Sequence, residues 1–170
     1  MSPSDSLAGL YDDHAQSLFA FLLNLMRNEA DTRDLLQEVF VKLAGRPTLL
    51  SGVRDTRAFL LRLTHNLAVD SMRRSATRER NHEQLAAESI TLFASSGDPD
   101  QRDFGIALAD ALGALPPEQR AVIHLKLWEG LTFEQIAGTL EIPMNTAASR
   151  YRYGLDKLRE RLRPLYDEIK

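Results

Sequence analysis

The 170-residue chain carries 21 Lys plus Arg against 24 Asp plus Glu, a formal net charge of −3, and 44% of it is apolar. That is length for one ordinary domain or two small ones, with enough apolar surface for a core, so wholesale disorder is excluded. The absence of cysteine excludes disulfides, thiolate metal sites and thiol catalysis, and it suits a reducing cytoplasm. Apolar runs are only a few residues long, so no membrane insertion is expected, and the start MSPSDSLAGLYDDH lacks the pattern of a secretory signal.

Alternating β-branched runs are missing, and apolar residues recur at spacings of three and four, so the expected fold class is all-α. A first helix is expected over about 5–27, with Leu18, Phe21, Leu22 and Leu25 on one side. A second covers about 30–45. Its stripe of Leu35, Leu36, Val39, Phe40 and Leu43 is flanked by Asp31, Asp34, Gln37 and Glu38. Acidic residues near a helix start are favoured by the macrodipole, so this is either an ordinary amphipathic helix or an acidic face for a basic protein partner. Residues 46–53, with Pro47 and Gly52, read as a loop.

A third helix is expected over about 55–80. Phe59, Leu60, Leu63, Leu67 and Met72 face inward, and Arg62, Asn66, Asp70 and Arg74 form a polar stripe at spacings of four. Asn66 is the unusual member, because asparagine competes for backbone hydrogen bonds in mid-helix, whereas its amide can read a base edge. Its neighbour His65 is assigned to packing or surface. Residues 85–103, including SSGDPDQ, read as a linker in which LAAESITLF can form a short helix.

A helix over about 101–113 follows. Pro116 and Pro117 break the chain and start another over about 117–129, which Gly130 is placed to end. The segment TFEQ is a capping box, with Thr132 and Gln135 satisfying each other's backbone donors at the start of a two-turn helix over 133–140. Glu141-Ile142-Pro143 is a tight turn, and a longer basic helix runs over about 144–163. A short helix, a three-residue turn and a long helix make the helix-turn-helix pattern. On the long helix Ala147, Tyr151, Leu155, Leu158 and Leu162 share the face expected to dock on the core. Thr146, Ser149, Arg150 and Arg152 are left on other faces, where they can meet DNA.

The charge is strongly segregated. Net charge is −4 over residues 1–45, +4 over 46–84, −5 over 85–119 and +2 over 120–170, and residues 150–163 alone carry six basic side chains against Asp156 and Glu160. Two basic blocks separated by an acidic stretch point to two contacts with a polyanion, although solvated helix faces also cluster charge. Support for catalysis is thin. His14, His65, His82 and His124 show no metal-ligand spacing, and no Gly-rich phosphate loop or nucleophile elbow occurs. Neither a cofactor nor a metal is expected.

Taken together, these segments resemble a bacterial RNA polymerase sigma factor of the extracytoplasmic function (ECF) subfamily. LYDDHAQSLFAFLLNLMRNEADTRDLLQEVFVKL is similar to the start of sigma region two, FLLRLTHNLAVDSMRR to its promoter-melting helix, and LPPEQRAVIHLKLWEGLTFEQIAGTLEIPMNTAASRYRYGLDKLRERL to sigma region four. The resemblance implies a non-enzymatic promoter-specificity subunit of two domains: 1–84 as region two, 85–103 as linker and 104–170 as region four. It puts Asp34, Gln37 and Glu38 at the clamp of core polymerase. Arg62, Asn66, Arg73 and Arg74 fall at the single-stranded minus-ten element, where a flipped base is held by shape and edge hydrogen bonds. Thr132, Thr146, Ser149, Arg150 and Arg152 fall at the duplex minus-thirty-five element.

Arg150 and Arg152 point about 200° apart, so both are not expected to read bases; Arg150 is favoured for DNA, and the other is left to clamp a phosphate or a protein carboxylate, with Arg152 the candidate for an anti-sigma or polymerase contact. Core polymerase and promoter DNA are the implied partners, with an anti-sigma protein as a third, and the free chain is expected to be a cytoplasmic monomer. Three departures from the family pattern stand out. Ala148 replaces a common lysine, Glu141 replaces a common turn glycine, and Phe59 lies where tryptophan is usual. Two other functions fit parts of the pattern: a sigma mimic that sequesters an anti-sigma factor without binding DNA, and an ordinary helix-turn-helix regulator. Arg150, Arg152 and the basic 46–84 block speak against the mimic, and Ala148 mildly for it.

Overall fold

The structure, a computed structural model, describes residues 6–76 and 99–169. All the regular structure among them is helical, and the chain divides into two compact units at Glu83 and Gln84. The expected short helix in LAAESITLF and the last residues of the third expected helix, 77–80, lie outside the described residues.

The first unit contains α1 (Leu7–Met26), α2 (Glu29–Gly45) and α3 (Thr56–Ala76), all packed on one another. Local chemistry sets each boundary. The Ser6 hydroxyl accepts from the Gly9 N–H at 3.0 Å to start α1. Arg27 ends it in the left-handed conformation, φ 60°. The Asn28 side chain caps α2 by accepting from the Asp31 N–H, with Glu29 and Asp31 in the first turn. Asp55 caps α3 through the Ala58 N–H at 3.0 Å. The expected loop between α2 and α3 contains one 3-10 turn, Pro47–Leu50. Phe21, Leu22, Leu25, Val39, Leu60 and Leu61 are fully buried where the three helices meet.

The second unit contains α4 (Pro99–Gly113), α5 (Pro117–Leu127), α6 (Phe133–Leu140) and α7 (Met144–Ile169). Helix α4 begins at Pro99, so residues 99–103 of the expected linker are helical; proline suits a first turn, where its missing N–H has no partner to lose. Helix α5 ends two residues before the expected boundary. Gly130, at φ 68°, reverses the chain there, and the Leu131 N–H donates to the Leu125 carbonyl. Helix α7 runs six residues past its expected end, straight through Pro164. Proline there removes one hydrogen bond, to the carbonyl of Glu160, and both residues are exposed, so water can replace it.

Helix α7 packs against α4, α5 and α6. Its Leu158 joins Ala111, Leu112, Leu115 and Ile123 in one core cluster, with Tyr151 and Leu162 against it. Gly154 lets α7 approach α5: a Cβ there would lie 2.9 Å from Ile123 Cδ1 and 3.3 Å from its Cγ1. Arg120 is buried, 6% exposed, and its guanidinium donates to the Leu115 carbonyl at 2.8 Å and the Gly113 carbonyl at 3.3 Å, closing the end of α4. Gly154→Leu should overpack the α5–α7 contact and destabilise the unit by about 1–3 kcal/mol or more. Thermal denaturation of the full chain checks this, and an unshifted midpoint would rule out the close approach.

Candidate functional site

On α2, Asp34, Gln37 and Glu38 are all exposed, at the three- and four-residue spacings that put them on one face. Beside them the structure shows something that periodicity did not. An open groove of about 590 Å³ lies between α1 and α2, and Gln37 lines it together with Leu7, Tyr11, Phe40 and Val41. Leu7, Tyr11 and Val41 are 41%, 50% and 62% exposed, and the Tyr11 ring meets the edge of Phe40 at 5.0 Å. The groove is lined mainly by apolar side chains, with Arg33 and Gln37 as its polar members. Val41 was the available signal: an apolar residue that follows Phe40 but lies outside the stripe of Leu35, Leu36, Val39, Phe40 and Leu43.

On α3, Asn66, Arg73 and Arg74 are exposed and Arg62 is half-buried. Leu67 and Ala68 are buried, which turns Asn66 away from the core and leaves its amide to solvent. His65 stacks on Phe21 with ring centroids 6.4 Å apart, in the packing role assigned to it.

In the second unit α6, Glu141–Pro143 and α7 form the helix-turn-helix. Thr132 caps α6 with both arms of the capping box present, at 3.1 Å and 2.9 Å. Its hydroxyl accepts from the Gln135 N–H and keeps its own proton for another acceptor. Glu141 occupies the left-handed turn position, φ 57° and ψ 48°, at a cost of about 1 kcal/mol relative to glycine. Thr146, Ser149 and Arg150 are half-buried, whereas Arg152 is exposed, with its guanidinium 5.2 Å from the Tyr153 ring centroid. Lys126 lies 4.6 Å over the Phe133 ring, which meets Tyr151 at 5.5 Å. This chain of contacts ties α5 and α6 to the start of α7.

Two families match the chain. Sigma-70 region 2 covers residues 10–78, and Sigma-70, region 4 covers 111–160. The ECF RNA polymerase sigma factor SigL of Mycobacterium tuberculosis (strain ATCC 25618 / H37Rv) is 34% identical over 163 residues, spanning 94% of this chain and 90% of SigL. The chain belongs to the ECF family of RNA polymerase sigma factors. The RNA polymerase sigma factor CarQ of Myxococcus xanthus is 32% identical over 168 residues, spanning 97% of this chain and 94% of CarQ. The fold is also that of the sigma factor RpoE co-crystallised with the anti-sigma factor NepR from Bartonella quintana, with a TM-score of 0.70 at 24% identity over 87% of this chain and 91% of RpoE. Sigma factors are non-catalytic initiation subunits. Among the described residues no group of His, Asp and Glu is arranged to hold a metal, and no helix is long and apolar enough to cross a membrane.

Sequence reasoning passed over His124, which sits on α5 of this sigma factor at 2% exposure and stacks on Trp128 with centroids 5.4 Å apart. Burial pushes its pKa down to about 4, against a smaller opposing pull from the Glu129 carboxylate. The unfolded chain binds this proton near 6.5, so the folded form excludes it. The stabilisation from a neutral His124 is therefore fully present above about pH 6.5 and is lost as pH falls towards about 4, by up to about 1.4 kcal/mol per pH unit. Melting curves of wild type and His124→Leu between about pH 7 and 5 should show the steeper loss in wild type. Equal slopes would place the pH dependence elsewhere.

Proposed function

We propose that the two units divide the work of an ECF sigma factor, with 1–84 as region two, 104–170 as region four and 85–103 as the connection. The protein binds core RNA polymerase, recognises promoter DNA and promotes its opening. Phosphodiester chemistry is left to the polymerase, the chain works in the cytoplasm, and it is a monomer when free. The observation that carries the reading is the pairing of an exposed acidic face beside an apolar groove in one unit with a capped helix-turn-helix in the other. A sigma mimic has no need of the exposed Arg73 and Arg74. An ordinary helix-turn-helix regulator leaves the region-two match unexplained. An anti-sigma protein is a further partner in this reading, as NepR is for RpoE in the solved complex.

In the first unit, Asp34, Gln37 and Glu38 meet the basic surface of the polymerase clamp, and the groove lined by Tyr11 and Val41 supplies apolar area beside them. Arg62, Arg73 and Arg74 hold phosphates of the minus-ten strand, and Asn66 holds an unstacked base by its edge. In the second unit, Thr132 and Ser149 supply hydroxyl donors to duplex DNA, and Thr146 and Arg150 flank the same approach. Run-off transcription with core polymerase and this chain on a genomic fragment pool tests the whole reading, since specific initiation yields both the activity and the promoter.

Two variants test its parts. Asp34→Lys with Glu38→Lys juxtaposes like charges, which costs several kcal/mol, so affinity for core polymerase should fall by about 100-fold or more while the melting temperature holds. Unchanged affinity would remove this face from the contact. Asn66→Ala should lower open-complex formation on duplex promoter, and part of the loss should return on a template already unpaired across the bubble. Permanganate reactivity equal to wild type would make Asn66 a purely structural residue.

A further inference from the structure

We infer that Asn145 determines sequence specificity, its side-chain amide reading an adenine of the upstream promoter element in the major groove. The inference rests on the reading of α7 as the helix that enters duplex DNA. Within 144–150, the first two turns of that helix, only Met144 and Asn145 are exposed; Ala147 is buried, and Thr146, Ala148, Ser149 and Arg150 are half-buried. Asn145 lies two residues from Ala147, which is 0% exposed, so it projects about 200° away around the helix, to the side opposite the core. Residues at the N-terminal end of a recognition helix are the ones that reach base edges.

The fold itself does not account for this asparagine. It stands at the second position of α7 and not at the cap, and no hydrogen bond from the described residues engages its side chain. Alanine has the higher helix propensity at such a position. An amide with one acceptor and two donors is, however, the group that pairs in bidentate fashion with adenine N7 and N6. Asparagine is short, so the helix must come close to the bases. Ala148 and Ser149, three and four residues on and therefore on the same face, are short as well and permit that approach. Met144, 54% exposed beside it, offers an apolar surface to a neighbouring thymine methyl group.

The test uses holoenzyme assembled from core RNA polymerase and the full chain, transcribing a pool of its promoter randomised across the minus-thirty-five element. Wild type should enrich an A·T pair at one position. Asn145→Ala should lose the discrimination at that position by about 5- to 100-fold and keep it at the others, and Asn145→Asp should turn the preference towards cytosine, whose N4 is a donor. Alanine favours the helix, so a retained melting temperature separates this effect from misfolding. Identical preferences in wild type and both variants would overturn the inference. So would a loss spread evenly over all positions, which marks a phosphate contact. A wild-type holoenzyme with no preference anywhere in the upstream element would overturn the reading of α7 itself, and the inference with it.

Discussion

The close approach of α7 to α5 at Gly154 is the contact on which the second unit depends. Helix α7 is the common packing partner of α4, α5 and α6, and in the proposed function it also carries side chains offered to DNA. A buried face with Ala147 at 0%, Gly154 close against Ile123 and Leu158 at 4% exposure fixes its rotation about its own axis. Once that rotation is set, the face presented to a ligand is set too. A larger residue at 154 would have to displace the Ile123 side chain or push α7 away from α5. On the proposed reading of α7, specificity in this unit is a consequence of core packing.

The same logic runs through the shorter elements. Helix α6 has only eight residues, too few to be stable alone, and it is held by its ends. The Thr132–Gln135 box closes one end, and Glu141 in a left-handed conformation closes the other. That second closure is strained, since glycine is the residue suited to it. Arg120 performs a comparable service for α4, satisfying two carbonyls at its exit from inside the core. Because Arg120 is a charged group at 6% exposure, its hydrogen bonds are a condition of its burial.

In the first unit the division is between a sealed interior and an incompletely covered edge. Leu18, Phe21, Leu22 and Leu25 are withdrawn from water, whereas Leu7, Tyr11 and Val41 remain around the groove between α1 and α2. Such exposure in a small unit is costly unless a partner covers it. On the proposed reading, the exposed acidic residues of α2 give that partner a sign, and the exposed Arg73 and Arg74 of α3 give the nucleic acid the opposite one. The net charge of −3 is therefore an average over segments of opposite sign.

Much was legible in the linear chain because it depends on local chemistry. Helical periodicity, the capping box at Thr132, the turn at Glu141–Pro143 and the charge blocks all follow from residues within a few positions of one another. The spacing of Asp34, Gln37 and Glu38, and of Asn66 with its basic neighbours, belongs to the same category. Tertiary packing decided the rest. It buried His124 and Arg120, whose polarity reads as surface in one dimension. It half-covered Thr146, Ser149 and Arg150 and turned Asn145 outward. A helix has a period but no intrinsic direction towards its neighbours; which of its faces is buried is settled only when other helices, distant in sequence, occupy that side.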